Sequence, residues 1–272
     1  QKGDLLINVK DYGALGNGSA DDTAAIDAAI AALPATMPTW GGMSGILFFP
    51  PGVYRTSGGH VIPVGKKAVV RGSGRSNTVL YASAADGSSD LLTINSNFSS
   101  VQDITLDGAA KTLDTLVLNA GDTSAINCTM SAATQDGVAV GKGGAAINFI
   151  LRDLNIRLPW RNGVRVYESG STDGAWDNVN TGNSGEYGFY IDDGSQIINN
   201  CHVWGAGIRH PSNNNGIHFA TGHNTVTGTI VETSNGYGVY LGTSGNNNNQ
   251  LIGCFLWANA SAAIYAYNSG HH

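Results

Sequence analysis

The sequence predicts an all-β fold, a single-stranded, right-handed parallel β-helix (solenoid) begun by an N-terminal capping α-helix. Three observations predict it: two interleaved repeats of one period, a Gly-rich and charge-poor composition, and one amphipathic helical segment near the start. The first repeat is a turn residue followed by an apolar–x–apolar triplet. It reads "DGVAV" (136–140), "NGVRV" (162–166), "YGFYI" (187–191), "NGIHF" (215–219), "YGVYL" (237–241) and "AAIYA" (262–266). Its small residue falls at 137, 163, 188, 216, 238 and 263, in steps of 26, 25, 28, 22 and 25. The second repeat, "DIT", "NCT", "DLN", "NVN", "NCH", "GTI" and "GCF", is centred on 104, 128, 154, 179, 201, 229 and 254. A unit this short cannot bury its own apolar face, so successive units must stack. A β-sandwich also places strands about every 8–12 residues, but it would not keep two phases in step. The helical segment has Ile26, Ala29, Ile30 and Leu33 at i, i+3, i+4 and i+7, one apolar face. Ser19, Asp21 and Asp22 stand where they can cap its first turn. The expected organisation is a cap and entry strands over 1–60 (helix about 22–33), coils over 61–270, and a tag-like remnant at 271–272.

Strand alternation assigns the faces. Val164/Val166, Phe189/Ile191, Ile217/Phe219 and Val239/Leu241 should point inward. So should the column Cys128, Leu154, Val179, Cys201, Thr229 and Cys254. No two of those cysteines lie on adjacent coils, and coils about 4.8 Å apart leave Cys201 and Cys254 too distant for a disulfide. All three read as free, buried thiols. Outward, one column runs Ala139, Arg165, Tyr190, His218, Tyr240, Tyr265, and a neighbour runs Tyr167, Asp192, Ala220, Gly242, Tyr267. Another strand presents Asn155, Arg157, Asn180, His202, Trp204, Glu232, Phe255 and Trp257. Aromatic rings beside a few charges and amides suit sugars, whose C–H faces stack while their hydroxyls take hydrogen bonds.

Charged residues are 12% of the chain and the net charge is −6. That excludes nucleic acid as a general partner, which needs a basic field. No apolar run reaches the roughly 18 residues of a membrane span, and no cofactor or metal is expected from the motifs.

The segments "INVKDYGALGNGSADDTAAIDAAIAAL", "GILFFPPGVYRTSG" and "KKAVVRGSGRSNTVLY" resemble the amino-terminal region of the pectate-lyase-like right-handed β-helix superfamily. That group includes polygalacturonases, mannuronan epimerases and phage tailspike depolymerases. One departure is the link "PATMPTWGGMSG" (34–45), longer than the family's usual turn, whose Trp40 could pack on the cap or on another subunit. The polygalacturonase-like series "STDG" (171–174), "IDDG" (191–194) and "TGHN" (221–224) has Asp173, Asp192 and His223 in different phases. They are not expected to stack in one column, and no R-x-K follows. The epimerase motif stops at "YGF" (187–189), where Tyr190 and Ile191 replace Asp-Pro.

The resemblance implies a polysaccharide-binding and polysaccharide-degrading protein of tailspike type, a glycoside hydrolase or lyase. The alternative is a non-enzymatic receptor-binding or structural segment of a virion fibre. Catalytic candidates are Asp192, Glu232, Glu186 and His218. Substrate-binding candidates are Arg165, Tyr167, Tyr190, His202, Trp204, Tyr240 and Trp257. The expected partner is a polysaccharide, in an extracellular setting on a virion tail or secreted. The apolar final coils, "LIGCFLWAN" and "AAIYAY", carry no polar cap, so a homotrimer or a piece of a longer chain is expected.

Overall fold

The computed structural model describes residues 6–35, 45–212, 214–242 and 248–267. Trp40 and the 271–272 end lie outside them. Each coil contributes three short parallel strands, and like strands pair in register up the stack. The first sheet runs from Leu6–Asn8 to Gln250–Ile252, and the second from Asn17–Asp21 to Phe255–Trp257. The third, from His60–Ile62 to Ile264–Ala266, holds nine strands, one for each of about nine turns. The two predicted repeats are these coils seen from two corners.

Both repeats have a physical cause. The first residue of each triplet in the second repeat turns the corner between the first two sheets. Asp103, Asn127, Asp153, Asn178 and Asn200 hold φ between 51° and 56° there, followed by Gly228 and Gly253. Asp, Asn and Gly tolerate this left-handed conformation best. Their side chains also bond up the column, Asn127 Nδ2 to Asp103 Oδ1 at 2.7 Å and Asn178 Nδ2 to Asp153 Oδ1 at 2.8 Å. The small residue of the first repeat answers to space instead. A Cβ on Gly163 would stand 2.6 Å from the carbonyl oxygen of Gly188, and one on Gly188 2.6 Å from that of Gly216. One on Gly216 would meet the oxygen of Gly238 at 2.7 Å. From Gly163 to Gly238 adjacent coils touch backbone to backbone along this line, so only glycine fits at these rungs.

The inward columns are buried as the alternation predicts, from Val164 through Leu241 and from Cys128 through Thr229. Cys128, Cys201 and Cys254 are free, with Cys254 only partly buried. Burial pushes the thiols of Cys128 and Cys201 up to about 12, which suits packing groups. Phe149, Trp176 and Phe189 fill one stretch of the interior, with ring centroids 6.2 and 5.1 Å apart.

The cap helix spans Thr23–Ala32 and buries Ile26, Ala29 and Ile30. The capping role expected of Asp22 is corrected: its side chain makes no cap hydrogen bond. It is buried and turns back to accept from the backbone N–H of Leu15 at 2.7 Å and Gly16 at 3.0 Å, pinning the glycine loop. Asp21 does serve the helix start, accepting from the N–H and hydroxyl of Thr23. Two further contacts fix the helix to the coils. Buried His60 bridges Asp27 at 2.7 Å and Thr56 at 2.6 Å, and the Lys66 ammonium donates to the last-turn carbonyls of Ile30 and Ala31.

Candidate active site

The outward column Ala139–Arg165–Tyr190–His218–Tyr240–Tyr265 is in strict register along the third sheet. One ring per coil therefore stacks on the next. Tyr190 and His218 lie 4.7 Å apart, His218 and Tyr240 4.6 Å, and Tyr240 and Tyr265 5.3 Å, all within 24° of parallel. Tyr187 and Tyr237, at the preceding corner, close against the same rings. Enclosed in this stack, His218 loses hydration. Desolvation lowers its pKa to about 4, so the imidazole is neutral at pH 7. Burial raises the phenols of Tyr187 and Tyr190, which stay protonated.

Arg165 occupies the next rung. Its guanidinium lies 4.2 Å from the ring of Tyr167 and 4.9 Å from that of Tyr190, and Nη2 meets Asp192 Oδ2 at 2.9 Å. The charge of Asp192 also bears on the Tyr190 phenol, adding to the upward push of burial. Arg165 Nε is buried without a hydrogen-bond partner among the described residues. Glu186 stands at the corner before the Phe189–Ile191 strand, half-buried, and its charge reaches Arg161, Tyr187 and Tyr190.

A charged network that the sequence reading missed supports this face. Asp136, fully buried, accepts from Tyr167 Oη at 3.0 Å, from Asn162 Nδ2 at 2.7 Å and from Arg161 Nη2 at 3.4 Å. One coil earlier, buried Asp114 meets Lys142 Nζ at 2.7 Å, and Lys142 also reaches Asp90 at 2.9 Å. Burial, and then the charge of Asp136, raise Asp114 to about 6. Burial, and then the charges of Asp136 and Asp114, push Tyr167 the same way, to about 12. A signal for the network stood in the sequence. Asp90, Asp114, Asp136 and Asn162 each fall two residues before a third-sheet strand, a position that had been read only as a turn. The turns carrying Lys142 (141–149) and Tyr167 (167–174) are also longer than the neighbouring 192–196 and 220–224. On the opposite margin, Arg209 lies 4.8 Å over the ring of Trp160.

The structure divides the predicted site residues between two faces. Asp192, His218, Arg165, Tyr167, Tyr190 and Tyr240 share the third sheet, with Glu186 at its margin. Glu232, His202, Trp204 and Trp257 belong to the second sheet, where Trp204, Glu232 and Trp257 are successive rungs. The polygalacturonase-like series needs one correction. Asp173 and His223 do share a column, two coils apart, because each stands two residues before the paired strands at Ala175, Ile197 and Thr225. Turn length varies ahead of that corner, so counting from the glycine column misplaced them. Both take left-handed corner conformations, and Asp192 lies elsewhere.

A parallel β-solenoid with a ringed and charged flank is the architecture of the pectate-lyase type. The family described as rhamnogalacturonase A/epimerase, pectate lyase-like, matches residues 6–252, and the chain belongs to it. A curated relative, mannuronan C5-epimerase AlgE3 of Azotobacter vinelandii, is 39% identical over 116 residues, 38% of this chain and 6% of that protein. Two solved structures share the fold. The tailspike protein 2 enzymatically active domain of bacteriophage CBA120 superposes with a TM-score of 0.66 at 15% identity, over 97% of this chain and 43% of that one. The alginate lyase of a Paenibacillus species gives 0.64 at 12% identity, over 97% and 99%.

Proposed function

We propose that the protein binds and cleaves a uronate-containing polysaccharide along its third sheet, by β-elimination. The single observation that carries this is the rung order, in which Arg165, Tyr190 and neutral His218 follow one another on successive coils. Arg165 takes the sugar carboxylate, spreading the negative charge that develops at the α-carbon. His218 accepts the C5 proton. The C4–O bond breaks, the electron pair leaves with the glycosidic oxygen, and the Tyr190 phenol protonates that oxygen, giving an unsaturated end. Asp192 holds Arg165 in place. Tyr240 and Tyr265 stack the neighbouring sugar rings. Hydrolysis would need two free carboxyl groups flanking the bond, and Asp192 is committed to Arg165. The names of the epimerase relative and the alginate lyase neighbour support a uronate substrate.

The same reading places the chain on a virion as a homotrimer, supported by its likeness to a tailspike domain. Ile150 and Ile197, with Ala175 between them, form an exposed apolar column on the first sheet that copies can share. Sedimentation checks the oligomer. For the reaction, polymannuronate is incubated with the protein while ultraviolet absorbance and reducing ends are followed together. Elimination raises both; reducing ends without absorbance means hydrolysis, and binding without either means a receptor-binding module.

A further inference from the structure

We propose that the second sheet carries a separate, non-cleaving glycan-binding strip, built on Trp204, Glu232 and Trp257. It goes beyond the reaction proposed for the third sheet and uses none of its residues.

The strip begins with a backbone accommodation. Gly182 is the rung below Trp204, and a Cβ there would collide with the indole of Trp204. Glycine therefore lets the large ring lie flat across the coil beneath it. The next rung is Glu232 and the one after is Trp257. Glu232 does not repel a ligand as a bare charge, because its Oε1 is held 2.9 Å from His202 Nε2. The His202 ring itself leans on Trp204, centroids 5.0 Å apart. Phe255 and Trp257 stand on the last described rung of this sheet, where their rings are exposed, 60% and 51%.

The order is aromatic, hydrogen-bonding, aromatic at one rung per coil. Coils rise by about 4.8 Å, and an extended 1,4-linked pyranose chain advances by nearly the same amount per ring. A glycan laid along the solenoid axis thus places alternate sugars on Trp204 and Trp257. The sugar between them presents its hydroxyls to Glu232 and His202. A purely apolar partner would gain nothing from that middle rung, and it would bury a carboxylate at a cost. No second carboxyl group stands with Glu232 among the described residues of the strip, so the pair that hydrolysis uses is missing there, and the strip is read as a holding surface. The occupant the chemistry fits is a second stretch of extended polysaccharide, held while the third sheet works on another.

The test uses the full chain with two probes, cellohexaose and a mannuronate hexamer, and reads quenching of tryptophan fluorescence alongside ultraviolet detection of product. At least one hexamer should quench the wild type. Trp257→Ala, a change at an exposed site, and Trp204→Ala should each weaken binding by about five- to tenfold. Trp257→Phe should restore most of it, and Arg165→Ala should leave it unchanged. Product formation without quenching, or quenching indifferent to both tryptophan substitutions, overturns the strip while leaving the reaction standing. Quenching by the mannuronate hexamer without product overturns the reaction and not the strip. Sedimentation of Trp257→Ala closes the remaining alternative, since dissociation of an oligomer would show that the ring packs on another copy.

Discussion

His218 and Asp114 titrate with opposite consequences, and substituting each one exposes the other. The unfolded chain protonates His218 near its ordinary 6.5, whereas the folded chain, which desolvates the ring, does so near 4. Acid therefore favours unfolding through this group. Its contribution is complete above about pH 6.5 and is lost as pH falls to 4, about 3 kcal/mol in all. Asp114 runs the other way. Folded, it takes a proton near 6 because of burial and the charge of Asp136, and unfolded near 3.8. Lowering the pH through that window returns a similar amount, again about 3 kcal/mol. The wild type should therefore show a shallow stability profile between pH 6.5 and 4. His218→Phe, which keeps a ring between Tyr190 and Tyr240, should gain about 3 kcal/mol over the same descent. Asp114→Asn, which keeps an acceptor for the Asp136 N–H, should lose about as much. Urea midpoints at half-unit steps of pH measure all three, and surface carboxylates common to them cancel. If His218→Phe follows the wild-type profile, the ring is not protonated on unfolding in this range, and its enclosure is not what the stack implies.

Other consequences follow from single contacts. Arg165→Ala should lower kcat/KM on polymannuronate by at least about a hundredfold, through loss of a charge-assisted contact, and Arg165→Lys should recover little because the sandwich between Tyr167 and Tyr190 needs a planar group. Gly188→Ala should cost about 2–4 kcal/mol in urea unfolding, since its Cβ meets both the Gly216 carbonyl and Val203. A thiol reagent should label Cys254 in the native protein and reach Cys128 and Cys201 only after denaturant is added. Substituting His60 with Leu should release the cap helix from Asp27 and Thr56, seen as faster amide exchange over Thr23–Ala32.

Most of the fold was legible because each rung repeats its neighbours. A glycine required by a carbonyl 2.6 Å away, or an Asn, Asp or Gly required by a left-handed corner, recurs over successive coils and leaves a period in the sequence. The stacked tyrosines and Trp204–Glu232–Trp257 were found by the same counting. What escaped it depends on side chains from unlike positions meeting in space. Lys142 reaches Asp114 from a turn of irregular length, and Asp22 bonds backward to Leu15 instead of forward into its helix. Asp173 and His223 were misplaced because turn length upstream of them varies, and only the pairing of Ala175, Ile197 and Thr225 restores the count.

The backbone contact along Gly163, Gly188, Gly216 and Gly238 has an evolutionary corollary. It fixes the rise between coils independently of what the outer rungs carry, so a coil duplicated after Gly238 would keep the spacing of those before it. Such an event would add one rung to the outward column and leave Arg165, Tyr190 and His218 where they stand. On the proposed reading, the length of glycan held then grows in whole steps, while its identity changes one rung at a time.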